Sequence, residues 1–244
     1  SFRKAVMPRI AYVNGRYVQH NKASVHIEDR GYQFADGVYE VCEIRHGLIV
    51  DLTRHLDRLD RSLSEIRIRP PMSRAALVQV IREVVRRNHV KNGLFYLQMT
   101  RGVAKRDHVF PSADTPASLV VTAKSTDPSV IARKNASGIK AITVPDNRWD
   151  RVDIKTVGLL PNALAHQAAK ESGSQEAIFI DSRGMVTEGA ATNVWIVDQD
   201  GILVTRPAEH GILRGITRTG LMDVTAKLGI EVAEREFSRD EMLA

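Results

Sequence analysis

Asn14-Gly15 stands between Ile10-Ala-Tyr-Val13 and Arg16-Tyr-Val18, and no other short feature limits the fold as sharply. An Asn-Gly turn of two residues has positive φ at both positions. Its twist matches that of paired strands, so the flanking segments become an antiparallel hairpin. A second hairpin follows, from Gly37-Val-Tyr-Glu-Val-Cys-Glu-Ile-Arg45 through His46-Gly47 into Leu48-Ile-Val50. The chain therefore opens as β structure that helices must cover. Leu52, Leu56, Leu59, Leu63 and Ile66 fall on one helical face, and Ser73 caps a second helix whose Leu77, Val80, Ile81, Val84 and Val85 point inward. Residues 93–100 and 117–122 read as further strands.

The polar, proline-containing stretch Lys124-Ser-Thr-Asp-Pro-Ser129 is the best linker candidate. Beyond it, strand patterns at 140–144 and 176–180 enclose a helix over 159–170. Asn193-Val-Trp-Ile-Val197 and Ile202-Leu-Val-Thr205 flank a turn at Asp200-Gly201, and a helix over 217–228 stops at Gly229. The pattern predicts two α/β domains, 1–127 and 128–244, and a chain of 244 residues is long enough to give each a core.

Composition excludes more than it selects. Hydrophobic content of 43% with 26% charged residues is ordinary for a globular protein. The net charge of +6 is spread along the chain, and its densest group, Arg82, Arg86 and Arg87, reads as a solvated helix face rather than a nucleic-acid surface. The single cysteine, Cys42, rules out an intrachain disulfide and fits a reducing compartment. There is no run of eighteen apolar residues and no apolar signal-peptide core at the start of the chain, so a cytoplasmic protein is expected. The eight histidines show no metal-ligand spacing, and Gly-x-Gly-x-x-Gly, P-loop and Gly-x-Ser-x-Gly motifs are absent.

Two segments carry chemistry, Asp153-Ile-Lys155 and Val186-Thr-Glu188-Gly-Ala-Ala-Thr-Asn193. Lys155 reads as the end of a strand, before a glycine-containing turn into a helix. Alone it is a surface lysine; in a cleft its amine suits attachment to an aldehyde cofactor and later proton transfer. Glu188 reads as part of a turn between strands, where a carboxylate is able to keep a pyridine nitrogen protonated. Gly215-Ile216-Thr217 places a glycine before a helix start, which offers amides and the helix dipole to a phosphate, or simply an N-cap at Thr217. Arg58 is able to clamp a phosphate bidentately, although it lies about 120° from the centre of the leucine face. Arg106-Asp-His108 lies in a loop after a strand, where the pair suits capture of a carboxylate.

With these residues in hand, the chain resembles the fold-type IV pyridoxal phosphate enzymes, of the branched-chain aminotransferase kind, and most closely their D-amino-acid transaminases. The resemblance runs from about Ile10 to the last residue. It rests on Glu28-Asp-Arg-Gly-Tyr-Gln-Phe-Ala-Asp-Gly-Val-Tyr39-Glu, His55-Leu-Asp-Arg58-Leu, Thr100-Arg-Gly, Asp153-Ile-Lys155, Thr187-Glu188-Gly and Ile212-Leu213-Arg-Gly-Ile216-Thr217-Arg. It implies a smaller N-terminal α/β domain and a larger C-terminal domain, with a cleft between them for pyridoxal 5'-phosphate. By position, Lys155 corresponds to the lysine that holds the cofactor and shuttles protons, and Glu188 to the partner of the ring nitrogen. Arg58, the amides of Ile216 and Thr217 and the Thr217 hydroxyl correspond to the phosphate cup, and Leu213 to a residue packed on the ring. Tyr39, Arg106 and His108 match the carboxylate trap of the D-amino-acid enzymes, where Arg and His come from the partner subunit of a homodimer.

The implied activity moves an amino group from a D-amino acid such as D-alanine to a 2-oxo acid such as 2-oxoglutarate, in two half-reactions. Alternatives on the same fold are a branched-chain L-amino-acid or amine transaminase, an aminodeoxychorismate lyase, and a relative that binds the cofactor without turnover. Family members usually run some tens of residues beyond the position of Ala244, and the lack of the segment that normally adds a last strand, a phosphate-contacting Ser or Thr and a terminal helix is a departure of this sequence from the family pattern. Ala190 and Ala191 stand where relatives often carry serines, and Ala35 where a glycine is common.

Overall fold

The computed structural model describes residues 9–209 and 211–244, and these form two compact units. One holds the chain up to Ile131 together with Lys155–Gly158; the other holds Ala132–Ile154 and Leu159–Ala244.

The first unit is built on one antiparallel sheet of six strands: β1 (Ile10–Val13), β2 (Arg16–Gln19), β3 (Gly37–Arg45), β4 (Leu48–Ile49), β5 (Gly93–Thr100) and β6 (Ser118–Ser125). Their order across the sheet is β2-β1-β6-β5-β3-β4. Asn14 and Gly15 take φ values of 45° and 92°, as the hairpin turn requires, and the Asn14 side chain accepts the Leu119 amide at 2.7 Å, pinning β1 beside β6. α1 (Arg30–Phe34) is capped by Asp29, which accepts the Gly31 amide, and ends at Ala35 in the left-handed region at φ 54°. α2 (Leu52–Glu65) packs on β3, and α3 (Arg74–Arg87), capped by Ser73, packs on β6 and β1.

Alternation along β3 decides what comes next. Val38, Glu40, Cys42 and Ile44 are buried while Tyr39, Val41 and Glu43 are less so, so one face of the strand goes to the core. Leu56, Leu59 and Leu63 of α2 are buried as their spacing predicts. A glutamate at position 40 therefore shares its strand face with apolar side chains and must find its partners within the unit.

The second unit has two sheets of three strands. In one, β7 (Ala141–Pro145) runs parallel to β8 (Glu176–Ile180), and β9 (Val186–Gly189) returns antiparallel to β8. In the other, β10 (Trp195–Val197) pairs antiparallel with β11 (Leu203–Thr205), which runs parallel to β12 (Val232–Glu234). α4 (Pro128–Ser137) precedes β7, α5 (Leu160–Glu171) packs on β7 and β8, α6 (Ile216–Leu228) precedes β12, and α7 (Arg239–Leu243) ends the chain. Small side chains let α5 lie close: Ala165 and Ala169 meet Ala177, Phe179 and Ala190. Val186, Val204 and Phe237 make a second cluster.

Three local expectations are corrected. β6 runs to Ser125 and α4 starts at Pro128, so most of the segment read as a linker is regular structure. Lys155 does not end a strand; it follows a turn in which the Ile154 amide donates to the Arg151 carbonyl at 3.1 Å. Glu188 lies within β9, whose four residues are all buried, rather than in a turn. Pairing of Val186 and Gly189 with β8 extends this segment, and burial on both faces hides the alternation that would mark it as a strand.

Candidate active site

Lys155 enters the first unit through the backbone. The Tyr39 amide donates to the Lys155 carbonyl at 3.0 Å, the Val157 amide donates to the Gly37 carbonyl at 3.0 Å, and Val38 faces Thr156 in an antiparallel bridge. The start of β3 thus positions the lysine as a strand would, without one being present. The Lys155 amide also donates to Ser62 Oγ of α2 at 3.4 Å. Its Nζ sits 4.2 Å from the centroid of the Tyr39 ring, close enough for a cation–π contact. Tyr39 stacks on Tyr96 at 5.7 Å. The Tyr96 hydroxyl donates to Gln98 Oε1 at 2.6 Å, and burial pushes its pKa up to about 12, which keeps it a neutral donor.

The Arg58 side chain is only 10% exposed, although its helical angle places it on the flank of α2. Glu40 explains the difference. Arg58 donates through Nε to Glu40 Oε1 at 2.8 Å and through Nη2 to Oε2 at 2.7 Å, and His55 Nδ1 meets Oε2 at 2.7 Å. Burial alone would push the Glu40 carboxyl up, but these hydrogen bonds and the Arg58 charge outweigh it and hold the carboxyl below its ordinary value. Glu40, which holds Arg58, and His55, which meets the same carboxylate, are given no role by sequence reading. The one signal for them is a glutamate among the apolar positions of a strand face.

Arg106 and His108 come together on one aromatic ring. The Arg106 guanidinium carbon lies 5.0 Å from the Phe34 centroid, and the His108 ring is tilted against Phe34 at 5.4 Å. Both side chains are exposed.

The second unit assembles the other predicted residues. Glu188 is 6% exposed. Its Oε2 accepts the Leu213 amide at 3.1 Å and Asn193 Nδ2 at 3.1 Å, while Oε1 accepts a hydrogen bond from Arg148 Nη1. Burial pushes the Glu188 carboxyl up, and the Arg148 charge with these donors pulls the other way. Arg148 is itself held by Asp146, through Nε at 2.9 Å and Nη2 at 2.8 Å, and lies 4.4 Å over the Phe179 ring. The spacing Asp146-x-Arg148 on a polar stretch gives no signal by itself. Asn193 also donates to the Leu213 carbonyl at 3.0 Å, so one amide ties Glu188 to the segment leading into α6.

Gly215 is the N-cap of α6 and has no side chain with which to cap it. The cap residue therefore offers the amides of Ile216 and Thr217, in its first turn, no side-chain acceptor. A Cβ at Gly215 would stand 2.1 Å from Asn193 Oδ1, so glycine is what allows Asn193 to close on the helix start. Ile216 is buried, as is Arg218 one turn in.

These donors fit pyridoxal phosphate in kind: an amine beside an aromatic ring, a buried carboxylate, an arginine, and a helix start with no side-chain cap. Among the described residues, no group of three or more His, Cys, Asp or Glu is placed to hold a metal ion. No helix among them is long and apolar enough to cross a membrane.

Comparison with known proteins agrees with this chemistry. The chain is 39% identical over 230 residues to a D-alanine aminotransferase of Bacillus licheniformis, covering 94% of this chain and 80% of that protein. It is 42% identical over 232 residues to a D-alanine aminotransferase of Listeria innocua, covering 94% and 79%. Among solved structures, the branched-chain amino acid aminotransferase of Escherichia coli superposes with a TM-score of 0.86 at 26% identity, over 96% of this chain and 79% of that one. A branched-chain aminotransferase of the archaeon Thermoproteus uzoniensis, solved with norvaline, gives 0.81 at 28% identity, over 96% and 80%. The model of the family described as amino-transferase class IV matches residues 37–244, and this chain belongs to that family.

Proposed function

We propose that the protein is a D-amino-acid transaminase that uses pyridoxal 5'-phosphate, exchanging amino groups between a D-amino acid such as D-alanine and a 2-oxo acid such as 2-oxoglutarate. The observation that carries this reading is identity of 36% to 42% with D-alanine aminotransferases, against 26% to 28% with the branched-chain enzymes whose fold it shares. The cofactor, when bound, supplies an aldehyde for the amino group and a protonated ring that accepts electron density from the substrate Cα.

The chain's residues do the rest. Lys155 anchors the cofactor, and its amine takes the proton from Cα and returns it on the other side of the exchange. Glu188 keeps the proton on the ring nitrogen, with Arg148 as its counter-charge. Arg58, set by Glu40 and His55, binds phosphate together with the amides of Ile216 and Thr217 and the Thr217 hydroxyl. Leu213 packs against the ring. Tyr39, Arg106 and His108 fix the substrate carboxylate, so that Cα presents its hydrogen to Lys155. The working form is a homodimer in the cytoplasm, with Arg106 and His108 serving the neighbouring subunit.

Incubation of the purified protein with D-alanine and, separately, L-leucine, each with 2-oxoglutarate, tests the reading. Pyruvate is expected from D-alanine, and turnover of L-leucine alone would assign a branched-chain transaminase instead. Lys155→Ala is expected to abolish the visible absorbance that the cofactor gains on attachment to lysine. A band that survives and is fixed by borohydride to another lysine removes Lys155 from its role.

A further inference from the structure

The motifs Asp29-Arg30-Gly31, Asp36-Gly37 and Thr100-Arg101-Gly102 take no part in the chemistry above, yet Arg30 and Arg101 are buried charges. Asp36 receives both. Arg30 Nε donates to Asp36 Oδ2 at 2.8 Å, Arg101 Nε to the same oxygen at 2.7 Å, and Arg101 Nη2 to Oδ1 at 2.9 Å. Two guanidiniums on one carboxylate leave positive charge in excess, and each arginine turns the remainder onto backbone carbonyls. Arg101 donates to the carbonyls of Ile66 at 2.7 Å and Arg67 at 3.1 Å, where α2 ends. Arg30 Nη1 donates to the carbonyls of Asp107 at 2.5 Å and Val109 at 3.5 Å, one on each side of His108.

That second reach matters because the loop has little else to fix it. Side chains from 105 to 110 are all exposed, so no apolar core defines their place. The base of the loop is closed by backbone. Gly102, at φ 93°, lets the Pro116 carbonyl approach to 2.0 Å from where a Cβ would stand, and the Arg30 amide donates to the Gly102 carbonyl at 2.9 Å. Its tip rests on Phe34, whose ring carries Arg30 at 4.6 Å as well as Arg106 and His108. Phe110 lies against Arg101 at 3.5 Å.

We propose that Arg30 is a positioning residue for substrate recognition: its guanidinium fork, charge-balanced by Asp36, holds the carbonyls around His108 and so aims Arg106 and His108 at the substrate carboxylate. This rests on the reading of Arg106 and His108 as carboxylate binders. Whichever subunit's substrate the loop serves, its anchor lies on its own chain. Lysine keeps the charge opposite Asp36 but is unable to span Asp36 and two carbonyls at once, so Arg30→Lys separates aiming from charge balance.

The test uses the cofactor-loaded protein and four variants: Arg30→Lys, Arg30→Met, Arg106→Ala and Arg30→Lys with Arg106→Ala. The readouts are the melting temperature, the D-alanine dependence of the first half-reaction, and the dissociation constant of propionate, a carboxylate with no amine. Arg30→Lys is expected to weaken D-alanine and propionate alike by about tenfold, with the saturating half-reaction rate kept within about threefold. In the Arg106→Ala background the same change is expected to add clearly less than its effect alone, because one of the two side chains it aims is already gone. Wild-type propionate affinity in Arg30→Lys overturns the proposal. So do losses from Arg30→Lys and Arg106→Ala that simply multiply, and a loss of affinity that tracks the melting temperature across the Arg30 variants. Unchanged affinity in Arg106→Ala has a different meaning, because it removes the carboxylate reading itself.

Discussion

Glu40 shows how one residue converts a folding constraint into a functional one. On the buried face of β3 its carboxylate is costly unless paired, and Arg58 and His55 complete it. The same pairing fixes the guanidinium that the proposed phosphate site needs. Because the folded carboxyl is held below its ordinary value of 4.5, the stability it contributes is present above that pH and is lost as pH falls through the folded value. Glu40→Gln, which leaves the Arg58 charge poorly compensated, is expected to cost about 3 kcal/mol at pH 7. In urea titrations the gap from wild type should hold down to a pH near 4.5 and close below it. A gap independent of pH would mean that packing, not charge, is what Glu40 supplies. Cofactor affinity should fall in the same variant, since Arg58 loses the partner that orients it.

At the scale of elements, the start of α6 joins two tasks. Asn193 holds Glu188 and the Leu213 carbonyl, and it fits only because position 215 lacks a side chain. Gly215→Ala would push Asn193 away, loosening the carboxylate and shifting the first helical amides together. Fluorescence titration with pyridoxal 5'-phosphate should show a loss of affinity. Asn193→Ala, which frees the space but removes one donor, should cost less; equal or reversed losses would show that the helix start takes no part in holding the cofactor. This part of the site is half legible in the sequence. Gly215-Ile-Thr217 announces a helix start and Glu188 a carboxylate, but nothing in the periodicity links them through Asn193. Elements with strong alternation or a leucine stripe, such as β3, β5 and α2, are readable because burial on one face dictates their pattern. α4 is not, since none of its residues is buried and its first residue is a proline that reads equally as a break. β12 and α7 escape as well: three and five residues are too short for either period to show. Lys155 is found by motif, while the bonds that hold it to β3 are backbone bonds and leave no trace in side-chain pattern.

For the molecule as a whole, the proposed site asks for more than one chain. Arg106 and His108 stand exposed on their ring, anchored by Arg30 and Phe34 of their own chain, which is the arrangement expected of a loop that presents itself to a neighbour. Subunit complementation separates the two cases. A Lys155→Ala chain lacks the amine, and an Arg106→Ala, His108→Ala chain lacks the carboxylate binders. If the loop serves the partner, a mixed dimer contains one site with both defects and one with none. Unfolding and refolding the two together in equal amounts should then restore about a quarter of the wild-type sites, assayed at low D-alanine. If the loop serves its own chain, every site in every mixed dimer carries one defect and mixing restores nothing. A protein that refolds as a monomer with full activity defeats the partner-serving version outright, because it would show that a single chain completes the site.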